Sequence, residues 1–179
     1  MKNFIMLLTY FRIFFGPLIF VLAVFFEMYL LSFVIFTLCS VSDFLDGYLA
    51  RKFNQESSLG KLLDPIADKI LLCSTMLAII LITNNYFIGL MGMIILIREF
   101  WVSGLREFTA ANHIQGASDV SFLAKIKTTL QFIAIGSYFF SFSYSLSLGI
   151  FISSFVLFLS LLVSLKTGIT YTRNTLRSK

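Results

Sequence analysis

The chain has 179 residues, of which 58% are hydrophobic, 17% aromatic and only 13% charged, with a mean hydropathy of +0.91. Soluble domains carry about 25% charged residues, so this composition excludes an ordinary soluble enzyme and points to a polytopic membrane protein. The formal net charge of +5 is scattered among apolar spans rather than gathered in a basic domain, which argues against nucleic acid and for anionic lipid and phosphate-bearing partners.

Residues 1 to 12 read as an interfacial lead-in marked by Lys2 and Arg12, with residues 1 to 5 outside the first span. The pattern is not that of a cleavable signal, because no small-residue cleavage site follows and Arg12 interrupts the apolar run. The uncharged run Ile13 to Phe26 has 14 residues, fewer than the roughly 20 that a span needs. The first span therefore begins near Ile5, and Arg12 lies within the helix, facing protein or a wet cavity. Gly16-Pro17 predicts a kink, and Glu27-Met28-Tyr29 a turn. A second helix runs from Met28 through Ser42 into Asp43. Cys39 and Cys73 fall inside apolar spans at no metal-ligand spacing, and read as buried thiols with no disulfide or redox role.

Residues 43 to 68 break the apolar pattern with four carboxylates and an arginine. An ionisable group at membrane depth is costly and marks a functional site. Asp43 and Asp46 stand three apart, Asp64 and Asp68 four apart, so each pair shares a helix face. Gly47 and Ala50 continue the first face and Gly60 lies one turn before Asp64, leaving room for a bulky ligand. Carboxylates so close repel one another unless a cation joins them. Oxygen donors suit Mg²⁺ or Mn²⁺, and two such ions would clamp the attacking and leaving oxygens of a phosphoryl displacement. The alternative is a set of helix-end charges paired with Arg51, Lys52, Lys61 and Lys69 at the membrane surface.

The run fits D-x2-D-G-x2-A-R-x8-G-x3-D-x3-D at every fixed position. Eight such positions match by chance on the order of 10⁻¹⁰ per start site. It resembles the signature of the CDP-alcohol phosphotransferases, integral membrane enzymes of phospholipid synthesis.

Phe53 to Ser58 reads as a short loop, and a third helix begins near Leu59, with Pro65 in an early turn or at a local kink. Ile70 to Ile97 is uncharged for 28 residues, too long for one span, and Thr83-Asn84-Asn85-Tyr86 supplies a turn. A fourth helix runs from about Phe87 to the region of Arg106, followed by a polar loop from Ala110 to Ser121. The fifth starts near Phe122. Thr128 to Leu165 is uncharged for 38 residues, enough for two spans with a turn around Ser143 to Gly149. The sixth ends near Lys166, and a basic tail follows from 166 to 179. Six transmembrane helices put all 14 Lys and Arg on one side or on the helix ends facing it. Positive-inside bias makes that side cytoplasmic, with both termini and the carboxylates there.

Arg98 and Arg106 stand eight apart on one helix face, and Lys125 and Lys127 return to the same membrane level. They suit the phosphate of an acceptor, or equally mark the cytoplasmic side by snorkelling to the interface. Trp101 is an interface anchor or cavity wall. Gly89, Gly92 and Gly104 allow close helix approach. His113 has no partner at ligand spacing, and the 22 phenylalanines are lipid-facing and packing mass.

Arg-Glu-Phe-Trp-Val-Ser-Gly-Leu-Arg-Glu at 98 to 107, with Lys-Ile-Lys-Thr-Thr-Leu-Gln at 125 to 131, resembles the phosphatidylglycerophosphate synthase branch of that family. The resemblance implies transfer of a phosphatidyl group from CDP-diacylglycerol to the 1-hydroxyl of sn-glycerol 3-phosphate. It further implies one membrane domain over 1 to 179, an all-α bundle with a polar cavity open to the cytoplasm, a homodimer, and location in the cell inner membrane. In that scheme Asp43, Asp46, Asp64 and Asp68 hold two divalent cations, and Asp68 is also the general base. Asp43, Gly47, Ala50, Arg51 and Gly60 receive the CDP moiety, while Arg98, Arg106, Lys125 and Lys127 bind the acceptor's phosphate. One departure stands out: Ile5-Met6 occupies the place of a Pro-Asn pair usual ahead of Thr9-Tyr10-Phe11-Arg12, so that pair's contribution near the nucleotide is missing or supplied otherwise. Rival readings are a cardiolipin, phosphatidylinositol-phosphate or phosphatidylserine synthase and, from another class, a divalent-cation transporter.

Overall fold

The computed structural model describes the backbone of residues 2–53, 58–112 and 122–177, and the side chains of 6–43, 59–60, 62–112 and 122–176. Six helices follow one another among these residues: α1 (Lys2–Val24), α2 (Tyr29–Phe53), α3 (Ser58–Thr83), α4 (Tyr86–Ala111), α5 (Phe122–Ser143) and α6 (Ser147–Arg177). No strand occurs among the described residues. By length and composition, four windows can cross a membrane: Met6–Val24, Leu62–Thr83, Tyr86–Ala111 and Ser147–Leu176. The apolar part of α2, Tyr29–Asp43, is shorter.

The three turns expected on the side without basic residues all form, and each uses a non-glycine residue with a left-handed backbone: Glu27 (φ 54°), Asn84 (φ 44°) and Ser145 (φ 52°). At Ser145 the closure is a Schellman motif, with Leu146 N donating to Ser141 O (2.9 Å) and Ser145 N to Phe142 O (3.3 Å). Asn84 closes α3 through the single bond from its N–H to Ile80 O (3.2 Å). Asn85 then caps α4, its side-chain oxygen accepting from Phe87 N (2.9 Å) and Ile88 N (3.3 Å).

Several boundaries differ from expectation. The lead-in is helical from Lys2, and α1 continues through Pro17. Helix α4 runs to Ala111, more than a turn beyond Arg106. The segment expected as a tail after Lys166 is the continuation of α6 to Arg177. Its residues alternate on a helical period, Ser164, Thr167, Tyr171 and Thr175 being buried, so packing rather than apolar composition sustains the helix there.

The chain divides into two compact units, Met1–Asn84 with Ile135–Ile150 and Asn85–Ala134 with Phe151–Lys179. In the first, α1 packs on both α2 and α3. Its buried stripe is Thr9, Arg12, Gly16, Ile19 and Ala23, at alternating spacings of three and four. Gly16 permits the approach to α3: a Cβ there would lie 3.2 Å from Leu71 Cα and 3.3 Å from Leu71 N. Against α2, the α5 segment of this unit forms an aromatic ladder of Tyr29–Phe142, Phe33–Phe140 and Phe36–Phe139, with centroids 5.5, 5.6 and 6.2 Å apart. Cys39 is buried and Cys73 only half-buried, and neither forms a disulfide.

In the second unit, α4 buries Ile88, Met91, Gly92, Ile95, Arg98, Val102 and Thr109, a stripe of three-and-four spacing that carries Arg98 inward with the aliphatic residues. Of the glycines expected at close contacts, Gly92 lies in this stripe, whereas Gly104 faces open space.

Candidate active site

Three of the four signature aspartates are described with their side chains, and they converge. Asp43 comes from the middle of α2, Asp64 and Asp68 from successive turns of α3. What they converge on is Arg12 of α1, whose side chain is 0% exposed. Its Nη1 donates to Asp43 Oδ1 at 2.6 Å and also to Asp68 Oδ1, and its Nη2 lies 3.7 Å from Asp64 Oδ1. One turn earlier, buried Thr9 donates its hydroxyl to Asp64 Oδ1 at 2.7 Å. One short stretch of α1 thus touches all three carboxylates. Charge-assisted bonds of this kind are among the stronger polar contacts available to a protein.

The carboxylates themselves remain accessible, Asp43, Asp64 and Asp68 being 32, 40 and 45% exposed at the side chain. A buried cation therefore backs a group of anions that still open outward. Gly60, one turn before Asp64, is buried. The helical backbone of α2 continues through the positions of Asp46, Gly47, Ala50 and Arg51, but their side chains, with those of Lys52 and Lys61, lie outside the described residues. His113 lies outside them as well.

The second basic constellation belongs to the other unit and centres on a carboxylate that the spacing argument passed over. Glu99 Oε1 accepts from Arg98 Nη1 at 3.0 Å and from Lys127 Nζ of α5. Arg98 is further tied to α6, with Nε donating to Ser164 O at 2.9 Å and Nη2 to Thr167 Oγ1 at 2.6 Å. Gly168 makes room for this arginine, since a Cβ there would stand 3.2 Å from Arg98 Cγ. Arg98 and Lys127 are buried, whereas Arg106 and Lys125 are exposed. Arg106 Nη2 donates to Tyr171 Oη at 3.0 Å, with Cζ 5.0 Å from the centroid of that ring. Trp101 is 59% exposed and its indole N–H donates to Thr172 Oγ1 at 3.0 Å.

Glu99 and Tyr171 are not among the residues the sequence singles out, whereas Thr9 and Arg12 enter there only through the run Thr9-Tyr10-Phe11-Arg12 and as a charge inside the first span. A signal for Arg12 existed: it is a charge inside an otherwise apolar span, and such groups are functional by default. No spacing rule applies to Tyr171, whose partner Arg106 is on another helix, and Glu99 adjoins Arg98 but meets its second partner, Lys127, only across helices.

Comparison with known proteins agrees with the aspartate motif. The family model described as CDP-alcohol phosphatidyltransferase matches residues 3–166. A protein of Wigglesworthia glossinidia brevipalpis named CDP-diacylglycerol–glycerol-3-phosphate 3-phosphatidyltransferase is 37% identical over 135 residues, covering 73% of this chain and 74% of that protein. One of the same name from Salmonella choleraesuis is 35% identical over 136 residues, 72% of each chain. Another, from Rickettsia typhi, is 48% identical over 103 residues, 57% of this chain and 55% of that protein, so this alignment spans about half of the relative. A carboxylate cluster held by α1, a chain rich in long apolar helices and a family match over most of the sequence converge on one conclusion: the chain belongs to the CDP-alcohol phosphatidyltransferase family, membrane transferases of phospholipid biosynthesis.

Proposed function

We propose that this enzyme transfers the phosphatidyl group of CDP-diacylglycerol to the 1-hydroxyl of sn-glycerol 3-phosphate, giving phosphatidylglycerophosphate and CMP. The observation that carries this reading is the convergence of Asp43, Asp64 and Asp68 on one buried point. The names of the relatives support the choice of donor and acceptor.

The donor set suits two divalent cations, Mg²⁺ or Mn²⁺, held by Asp43, Asp46, Asp64 and Asp68. All four donors are carboxylates, the ligand type that hard cations prefer. Asp43 and Asp68 accept from one and the same nitrogen of Arg12, so carboxylates from α2 and α3 meet at one point. As they stand, no three acidic, histidine or cysteine side chains among the described residues enclose an ion; the guanidinium lies between them. When bound, the cations would neutralise the donor's diphosphate and the charge that develops on departing CMP.

The chain's own residues would then act as follows. Gly47, Ala50, Arg51 and Gly60 accommodate the cytidine and its phosphates. The acceptor's hydroxyl oxygen forms a bond to the β-phosphorus, the bond from that phosphorus to the bridging oxygen breaks, and CMP leaves with the bridging oxygen. Asp68 takes the hydroxyl proton. It is the most exposed of the three carboxylates, at 45%, which suits the residue that must meet a diffusing acceptor. Arg98, Arg106, Lys125 and Lys127 receive the acceptor's phosphate, whose two negative charges match a basic cluster better than a zwitterion such as serine would.

The wider reading is a single domain over 1 to 179, whose six helices all span the inner membrane, with both termini and a polar cavity on the cytoplasmic side, working as a homodimer. The absence of lysine and arginine from the turns at Glu27, Asn84 and Ser145 supports that orientation. The test is CMP release by purified protein in detergent, with CDP-diacylglycerol, Mg²⁺ or Mn²⁺, and one acceptor at a time. Release with glycerol 3-phosphate alone is expected. Release only with phosphatidylglycerol, inositol phosphate or serine would overturn the acceptor, and no release with any of them would overturn the reaction.

A further inference from the structure

The four cations assigned to the acceptor's phosphate are not equivalent. Arg98 is 7% exposed and already uses donors on Ser164 O, Thr167 Oγ1 and Glu99 Oε1. Lys127 is 6% exposed and bonded to the same Glu99 oxygen. These two are built into the protein interior. Arg106 is exposed, and of its five N–H donors one is engaged among the described residues, by the hydroxyl of Tyr171.

Tyr171 differs from a chance surface neighbour. It is 5% exposed, on the part of α6 that continues past Lys166, and its backbone oxygen accepts from buried Thr175. Its ring lies under the guanidinium at 5.0 Å while its oxygen meets Nη2 at 3.0 Å. A face contact and an edge contact together fix both the position and the plane of an otherwise flexible side chain. Among the described residues the other N–H donors meet no acceptor, which leaves them for an oxyanion.

We infer that Tyr171 is a positioning residue for acceptor recognition, holding the Arg106 guanidinium so that its open edge meets the phosphate of the acceptor. This rests on the reading of Arg106 as an acceptor-phosphate ligand. The α6 extension is then a working part of the acceptor site rather than a basic tail.

The test uses full-length purified wild type, Tyr171→Phe, Tyr171→Leu, Arg106→Ala and the double variant Tyr171→Phe/Arg106→Ala, with KM for each substrate and kcat from CMP release. Tyr171→Phe keeps the ring and its packing and removes only the oxygen. It is expected to raise KM for glycerol 3-phosphate about threefold to tenfold, the worth of one ordinary net hydrogen bond, while KM for CDP-diacylglycerol and kcat hold within about twofold. Tyr171→Leu loses the cation–π contact too and should raise the acceptor KM further. In the Arg106→Ala background, Tyr171→Phe should add nothing. An unchanged acceptor KM in Tyr171→Phe, an equal rise in both KM values, or multiplying effects in the double variant would each overturn the positioning role while Arg106→Ala still raised the acceptor KM. An Arg106→Ala enzyme with wild-type acceptor KM would instead remove Arg106 from the acceptor site and the inference with it.

Discussion

Arg12 Nη1 donates to Asp43 Oδ1 at 2.6 Å, although the two residues are 31 positions apart in the chain. The same nitrogen reaches Asp68, 56 positions away. α1 therefore supplies a fully buried positive charge to carboxylates on two other helices. Left to themselves, aspartates facing one another across α2 and α3 would push those helices apart. The guanidinium offsets that repulsion and stands among the carboxylates to which the proposed divalent cations are assigned.

Removing this cation should make the fold dependent on metal. A buried ion pair broken on one side costs about 3–5 kcal/mol. Asp43 and Asp68 are 32 and 45% exposed, which lowers the expected loss for Arg12→Gln to roughly 1–3 kcal/mol. Thermal unfolding in detergent with EDTA should show the variant melting well below wild type, with much of the gap closed by millimolar Mg²⁺. A variant that melts like wild type in EDTA would show that Arg12 holds nothing together.

The aspartates should separate by role. Asp43→Asn and Asp64→Asn should each cut CMP release by about 100-fold or more and raise the Mn²⁺ concentration needed for half-maximal rate. Asp68→Asn should lower kcat by a similar factor with the KM for CDP-diacylglycerol held within about threefold. Full activity in Asp68→Asn would remove it as the base.

Two glycines should respond in opposite ways. Gly16→Val drives a side chain into Leu71 backbone that would lie 3.2 Å from its Cβ, and overpacking of this kind costs about 1–3 kcal/mol. Because Gly16 is one turn from Arg12, activity should fall with stability. Gly104→Ala meets nothing within 4 Å and should hold or gain up to about 1 kcal/mol from helix propensity. Melting curves of the two variants side by side decide the matter.

Glu99 joins two buried cations, so its loss should be severe. Glu99→Gln leaves Arg98 and Lys127 facing each other without a carboxylate, at a cost of about 3–5 kcal/mol. Glu99→Gln/Lys127→Gln removes one of those charges and should recover part of the loss in melting temperature. A double variant no more stable than the single would mean that Glu99 acts through packing rather than charge.

Much of this protein is legible in one dimension because apolar helices and paired carboxylates are written locally. Uncharged runs broken at Glu27, at Asn84-Asn85 and at Ser143 to Gly149 mark the turns. The spacing of Asp64 and Asp68 is enough to put them on one helical face. Local periodicity is silent on other points. In helices apolar nearly all round, hydrophobic pattern hardly says which side meets a neighbour, so the union of Thr9 and Arg12 with the aspartates emerges only from the packing of α1 on α2 and α3. The helical continuation of α6 is hidden for the same reason. Its polar residues read as a tail, whereas in the fold Thr167, Tyr171 and Thr172 are bonded to Arg98, Arg106 and Trp101. The sequence by itself determined the helices, their turns and the placing of Asp64 and Asp68 on successive turns of α3. Tertiary structure decided which charges meet, because a hydrogen bond between residues 31 or 69 apart depends on how helices pack and on no pattern within either one.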